Sequence, residues 1–298
     1  MHIMVRSKSL GSRLVTILIY ALMILAAFLS LAPLVNTIAI SFSSGTAAAS
    51  GSVNFIPVQF SWQSYAKIIA DHAFWQAFGV SVMRVLVGGS LSLVLTVLMA
   101  FPLSRSQEQF PARNIYMWVL IFAMLFSGGM IPTYMVVYKL GLINSFWSLV
   151  LPGAVNIWNV ILMMNFFKGI PNALEEAAVI DGASPLQILL KIYLPLAIPS
   201  LATITLFTVV GYWNDFFSGL IYINDQTKIP LQTYLQQLSI QAQNLTMMSK
   251  EEIMALARVS SLSLNSAKIL VSMIPILLIY PLMQRFLVKG LVLGAVKE

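Results

Sequence analysis

The sequence predicts an all-α integral membrane protein, and three observations carry that reading. Of 298 residues, 59% are hydrophobic and 9% are charged, whereas a soluble domain of ordinary composition has roughly 25% charged residues. Six stretches, 14–37, 80–103, 115–137, 146–167, 200–222 and 267–287, each supply the ~20 mainly apolar residues needed to cross ~30 Å of hydrocarbon. Within them, runs such as 91–101 are continuously apolar rather than alternating, which argues for a helical bundle over a barrel of period two. The absence of cysteine, with His2 and His72 as the two histidines, excludes disulfides, thiolate-held metals and a zincin-type histidine pair, so no metal site is expected. A formal charge of +7 is spread thinly along the chain, and no nucleic acid partner is expected.

Each span has its own signals. Arg6, Lys8 and Arg13 precede the first, as in a signal peptide, but the apolar run exceeds the usual ~7–15 residues. The small residues Ala47-Ala48-Ala49-Ser50 lie too far downstream for cleavage, so an uncleaved helix is expected. Arg84 falls in the first turns of the second span and is expected to snorkel outward. Gly128, Gly129 and Pro132 in the third allow close approach or a bend, and close packing is the favoured reading. Pro275 and Pro281 predict a kinked sixth span.

Six spans put both termini on one side. Of 17 basic residues, ten (Arg6, Lys8, Arg13, Arg105, Arg113, Lys168, Lys191, Arg285, Lys289, Lys297) fall on that side. Six (Lys67, Lys139, Lys228, Lys250, Arg258, Lys268) fall on the other, in longer total loop. The positive-inside rule therefore predicts cytoplasmic termini. Two external loops follow: 41–75, opening with the small-residue stretch 43–52, and 224–266, with Pro230, Gln236, Gln237, Gln241 and the cluster Lys250-Glu251-Glu252. Each reads equally as a solvated connector or a docking surface. With no internal repeat of 20–50 residues, 1–298 is expected to be a single membrane domain.

Residues 168–200, between the fourth and fifth spans, are expected to be cytoplasmic and unusually well specified. Asn172 can cap a helix over 173–181 with Glu175 at its third position, and Glu175 and Glu176 would oppose the positive helix end. Gly182 suits a left-handed C-terminal cap. Ser184, Pro185 and Gln187 then read as N-cap, first and third positions of a second helix, and Pro195 and Pro199 break the chain before the fifth span. The product is a bent pair of short helices at the membrane surface. It either covers helix ends as an interfacial hairpin or acts as a rigid acidic lever shaped for a cytoplasmic groove.

The run Glu176-Ala177-Ala178, three residues, Gly182, nine residues, Ile192, one residue, Leu194-Pro195 resembles the EAA motif of ATP-binding-cassette importer permeases. Phe126 to Tyr134, Gly141 to Asn144, Gly211 to Phe216 and Gly290 to Lys297 are similar to the carbohydrate-uptake branch, and most so to its oligosaccharide permeases, some of which handle uronate-containing sugars. The resemblance implies that 173–193 forms coupling helices, with Glu175, Glu176, Ala177, Ala178, Asp181, Gly182, Ile192, Leu194 and Pro195 at the contact with the ATP-hydrolysing subunit. It further implies a bacterial inner-membrane complex of two permeases, usually unlike chains, with two ATPase subunits that hold ATP and Mg and an extracytoplasmic sugar-binding protein.

No Gly-x-x-x-x-Gly-Lys-Ser/Thr loop and no nucleophile–base set is present, so the chain is expected to be neither an ATPase nor another enzyme. Asp215 is the one acid well inside a span, a costly placement that marks function by default. Thr208, Tyr212, Asp215, Ser218 and Tyr222 would share one helix face, beside Trp213 and Asn214. That face either meets sugar hydroxyls and C–H faces or bonds a neighbouring helix. Asn156 and Asn159, three residues apart in the fourth span, read equally as path lining or interhelical glue. The competing class is an ion-coupled secondary sugar transporter, which would need intramembrane ion-binding groups in repeat-related helices.

Overall fold

The computed structural model describes residues 10–246 and 262–295, and among these regular structure is helical. Arg6, Lys8, Lys250, Arg258, Lys297 and the Lys250-Glu251-Glu252 cluster lie outside the described residues. Among the described residues, three helices are long and apolar enough to cross a membrane, over Gly11–Ser41, His72–Ser104 and Leu262–Pro281. Three bent pairs pass the same test together: Arg113–Leu125 with Met130–Lys139, Phe146–Gly153 with Ile157–Lys168, and Pro185–Leu196 with Ile198–Asn214.

The bends are where structure and sequence expectation part. The expected span 115–137 is interrupted at 126–129 and bent by 114°, because Gly129 takes φ +85°, a region that favours glycine. A Cβ at Gly129 would meet nothing within 4 Å and one at Gly128 would meet only Pro132, so these glycines serve a turn and not helix packing. The stretch 146–167 begins as two short 3-10 turns and becomes an α-helix at Ile157. There Asn156 is the N-cap, its side chain accepting from the Asn159 N–H at 3.2 Å. The fifth stretch is helical over Ile198–Asn214, extended at Asp215 and helical again over Phe217–Tyr222. By contrast the last helix, Leu262–Ala295, continues through Pro275 and Pro281.

The chain divides into two compact units. Among the described residues, the first comprises 10–71, 238–246 and 262–271. Its 41–71 segment is folded rather than loose: Ser61 N–H donates to Phe42 O at 2.8 Å, Val58 N–H donates to the Ser43 hydroxyl at 2.9 Å, and the Asn36 amide donates to Asn54 O at 2.6 Å. The Ser64 and Ser263 hydroxyls share a 2.5 Å hydrogen bond, and Lys268 pairs with Asp71 at 2.6 Å.

The second unit comprises, among the described residues, 72–237 and 272–295. The unbroken helix His72–Ser104 is its axis, packing against Ile157–Lys168 and Ile198–Asn214. Close approach depends on Gly88, where a Cβ would stand 3.0 Å from the Tyr212 ring. One apolar core joins these three helices to the hairpin: Leu103, Met163, Phe167, Ile188, Leu189, Tyr193 and Ile204 are buried in it. The hairpin is thus rooted in the same packed mass as the spans, and packed interiors transmit displacement rather than absorb it.

Candidate functional site

Two sites emerge in the second unit, at opposite stretches of the helix His72–Ser104. The first surrounds the interruption after Asn214. A break in a helix leaves backbone groups without partners, and in hydrocarbon each is expensive. Asp215 answers this by capping the next helix: its Oδ1 accepts from the Phe217 N–H at 2.9 Å and the Ser218 N–H at 3.1 Å. Its Oδ2 accepts from the Ser218 hydroxyl and from Arg84, each at 2.5 Å.

Arg84 is buried, with 2% of its side chain exposed, and does not snorkel. The sequence expectation fails because it treated Arg84 as a lone charge, although Asp215, the acid it expected inside the fifth span, was its natural partner. Arg84 Nη1 donates to Asp215 O at 3.0 Å and Nε to Leu149 O at 2.9 Å. Both breaks, at 146–156 and at 215, are therefore held by one guanidinium. Its planar fork of fixed donors suits that task as an ammonium would not. The Tyr212 hydroxyl adds a 3.1 Å bond to Val150 O.

Arg84, Ser148, Asn156, Asn159, Thr208, Tyr212, Asp215 and Ser218 line one cavity of about 210 Å³. The structure so brings together five of the seven sequence candidates for this region: Asn156, Asn159, Thr208, Tyr212 and Asp215. The Asn159 amide donates to the Thr208 hydroxyl at 3.3 Å, joining two walls. Trp213 instead packs on Phe78, ring centroids 5.6 Å apart, and its indole N–H donates to Ser272 O at 3.1 Å. Asn214 ends the helix and does not line the cavity. Tyr222 falls on a separate short helix and stacks near Tyr134 at 6.3 Å, so the single face expected through 208–222 is interrupted at Asp215.

The second site is the hairpin. Its first arm is Asn172–Ile180 with Pro171 at the N-cap, so the Asn172 cap and its Glu175 box are not formed. The arm ends at Gly182, φ +77°. Ala183 N–H donates to Ala178 O at 2.9 Å and Gly182 N–H to Val179 O at 3.0 Å, the pair of bonds that defines a Schellman cap. Ala178 and Ala183 pack on the core beneath, which accounts for two small residues there. The second arm opens at Ser184 with the expected box: Gln187 N–H donates to the Ser184 hydroxyl and Ser184 N–H to the Gln187 side chain. It runs through a π-helical stretch, Leu189–Tyr193, and turns by 83° into Ile198–Asn214.

Glu175 turns inward to a cluster that the sequence reading missed. It forms an ion pair with Arg105 and accepts from the Tyr193 hydroxyl at 2.7 Å. Arg105 donates to the same hydroxyl at 3.1 Å and lies 4.1 Å over the Phe101 ring and 4.7 Å over the Tyr193 ring. Burial lowers the Arg105 pKa and raises that of Tyr193 from their ordinary values, and the raised value favours the protonated phenol that donates to Glu175. Glu176, Ala177, Asp181, Gly182 and Pro195 are exposed, and Ile192 and Leu194 half-buried. Val179, Ile180, Leu186 and Leu190 stand exposed beside them, Ile180 at 84%.

No family model matches the chain. Over 96% of its length it is 39% identical to the polygalacturonan/rhamnogalacturonan transport system permease protein YtcP of Bacillus subtilis (strain 168), of which 99% is covered. It superposes with a TM-score of 0.85 and 32% identity on a chain of a bacterial ABC transporter involved in the import of the acidic polysaccharide alginate, over 94% of this chain and 99% of that one. A chain from an alginate ABC transporter in complex with an alginate pentasaccharide-bound periplasmic protein matches with a TM-score of 0.51 at 15% identity, a likeness of fold alone. The chain belongs to the permease subunits of carbohydrate-uptake ATP-binding-cassette importers, which are not themselves enzymes.

The Arg84–Asp215 contact generates a direct test. Removing one partner of a buried pair costs about 3–5 kcal/mol, and with 31% of the Asp215 side chain exposed the lower end is expected. Arg84→Ala therefore lowers the thermal unfolding midpoint in detergent, and Arg84→Ala with Asp215→Ala loses less than the sum of the two single changes, as a double-mutant cycle measures.

Proposed function

We propose that this chain is one of two transmembrane subunits of a bacterial importer for a uronate-containing oligosaccharide, driven by ATP hydrolysed on separate cassette subunits. Residues 1–298 form a single permease domain of six spans, counting each interrupted pair as one span and the fifth as 198–222. Both termini face the cytoplasm. The helix Gly11–Ser41, whose most apolar 18-residue stretch has no buried residue, faces lipid and the second permease, an unlike chain. The names of the similar proteins support the sugar class: one importer takes the acidic polysaccharide alginate and the other relative is a polygalacturonan permease.

The observation that carries the coupling role is the hairpin's outer face. Exposed Val179, Ile180 and Leu186 beside the carboxylates Glu176 and Asp181 make an apolar patch with an acidic rim on a doubly capped frame. Such a patch on a water-facing segment marks a protein interface. The hairpin docks in a cleft of the ATPase subunit, where ATP and Mg supply the chemistry, and the sugar-binding protein docks on the external loops 41–75 and 224–266. Closure of the ATPase pair moves the hairpins, and the spans exchange an inward-facing for an outward-facing arrangement.

The cavity is the sugar path, lined by Asn156, Asn159, Thr208 and Tyr212, which offer the amides and hydroxyls that a sugar requires. At about 210 Å³ it is smaller than the ~300–1,000 Å³ of ligand pockets, so an oligosaccharide enters only once the spans part. An ion-coupled mechanism lacks support, since the intramembrane acid Asp215 has its acceptors occupied by Arg84, Ser218 and Phe217.

Gly182→Asp forces a side chain into left-handed backbone and Glu176→Lys inverts the rim charge. Both are expected to leave membrane insertion intact and to cut ATPase co-purification and uptake at least tenfold; normal values for both variants contradict the docking role. Asn156→Asp keeps the helix cap while adding a negative charge to the cavity. Uptake of a galacturonate oligosaccharide should fall about tenfold with complex yield unchanged, and undiminished uptake contradicts the acidic-sugar path.

A further inference from the structure

If the hairpin is where the ATPase pushes, its displacement must reach the cavity, and the structure offers one stiff route. We propose that Arg105 is the joint of that route: clamped by Glu175 and Tyr193, it couples movement of the hairpin to the helix His72–Ser104, and through that helix to Arg84. This rests on the docking role of the hairpin and adds the residues that carry the movement onward.

Arg105 follows the helix His72–Ser104 directly and is tied to its last turn, its N–H donating to Pro102 O at 3.2 Å. Its guanidinium is gripped from both arms of the hairpin: Glu175 lies on the first and Tyr193 on the second. The Tyr193 hydroxyl donates to Glu175 at 2.7 Å, so the three groups close a triangle and neither arm can shift without the other. Phe101, one turn back on the long helix, stacks beneath the guanidinium at 4.1 Å.

Two features distinguish this contact from the apolar packing around it. Ile188 and Leu189 also bury against the core and move with it, but apolar contacts are non-directional and do not by themselves fix a register. An ion pair with fixed donors must stay in register or break. The side chains of Arg105 and Glu175 are 11% and 14% exposed, so water and salt screen the pair little. The π-helical stretch Leu189–Tyr193 belongs to a class of helix defect that concentrates at functional sites, and here it delivers Tyr193 to the clamp.

The direction of transmission is built into the first arm. Glu175 points into the cluster while its neighbour Glu176 and the exposed Val179 and Ile180 face outward. A push on the outer face is therefore delivered to the inner one across a single helical arm. From Arg105 the helix runs unbroken to Arg84, 21 residues away, or about 30 Å at 1.5 Å per residue. Arg84 holds Leu149 and Asp215, the two interrupted walls of the cavity. One continuous rod thus has the hairpin clamp at one end and the cavity brace along its length. That is a contiguous physical connection, and Arg105 and Tyr193 act in it as positioning residues.

The test uses the complete transporter, co-expressed with its native partner subunits and reconstituted in proteoliposomes, and reads sugar moved per ATP hydrolysed. Arg105→Ala is expected to keep the ATPase pair bound while that ratio falls at least tenfold. Tyr193→Phe keeps the ring but not the hydroxyl, and should lower the ratio two- to threefold. A ratio within twofold of wild type in a fully assembled Arg105→Ala complex overturns the joint, since a merely structural residue would change yield and not stoichiometry. If Arg105→Ala does not assemble, Tyr193→Phe decides, and an unchanged ratio overturns the proposal. Glu176→Lys complexes that retain ATPase and normal coupling would defeat the docking role itself, whereas normal coupling in Arg105→Ala alone defeats only the joint.

Discussion

An interrupted helix in hydrocarbon leaves N–H and C=O groups that no water reaches, each worth several kcal/mol if unsatisfied. The chain breaks after Asn214, beside a buried arginine, and the geometry of the cavity depends on how Arg84 and Asp215 satisfy the groups at that break. Asp215 caps the helix that restarts, and Arg84 bonds both its carboxylate and its backbone carbonyl while reaching Leu149 O. Two charges that would each be prohibitive alone become a brace for two broken segments. Gly88 lets the Tyr212 ring lie against the helix that carries Arg84, and the Arg84 guanidinium stands 5.4 Å from the centroid of that ring. The cavity walls are fixed by this contact, and a cavity lined by amides and hydroxyls follows from it.

The hairpin meets the opposite requirement, a rigid element at the edge of the apolar mass. Short helices are marginal in isolation because nucleation is costly. The Schellman cap at Gly182, the capping box at Ser184 and the shared core with Phe167 and Leu103 supply what length cannot. Capping satisfies the backbone at the tip, which frees the outer side chains from any structural duty. Ile180 and Val179 are left exposed where a self-contained protein would bury them.

Much of this was legible in the sequence, for identifiable reasons. Composition and run length define an apolar helical chain because bilayer thickness is a hard constraint. Gly182 and the Ser184–Gln187 box were legible because caps have short, local signatures. The break at 126–129 was legible only as the less favoured reading of Gly128, Gly129 and Pro132, and the break at Asp215 was not, since hydropathy averaged over a span does not register a turn inside it. Glu175 shows how local spacing misleads: its distance from Asn172 suits a cap, yet Pro171 takes the N-cap position and Glu175 is drawn to Arg105 and Tyr193, partners far off in sequence. Arg105 was weighed only as a topology charge and Arg84 only as a snorkelling one. An arginine and an aspartate alone in separate spans could have been paired from the cost of leaving either unmatched. No local pattern marked Arg105.

The central claim is that the outer face of the hairpin seats on an ATP-hydrolysing partner, and site-specific photocrosslinking in native membranes tests it most directly. A photoreactive residue at exposed Ile180 is predicted to capture the cassette ATPase subunit, while one at buried Ile188, on the other arm, captures only this chain. Capture of lipid alone from position 180, in membranes still competent for sugar uptake, would contradict the account and leave the hairpin as a cover for helix ends.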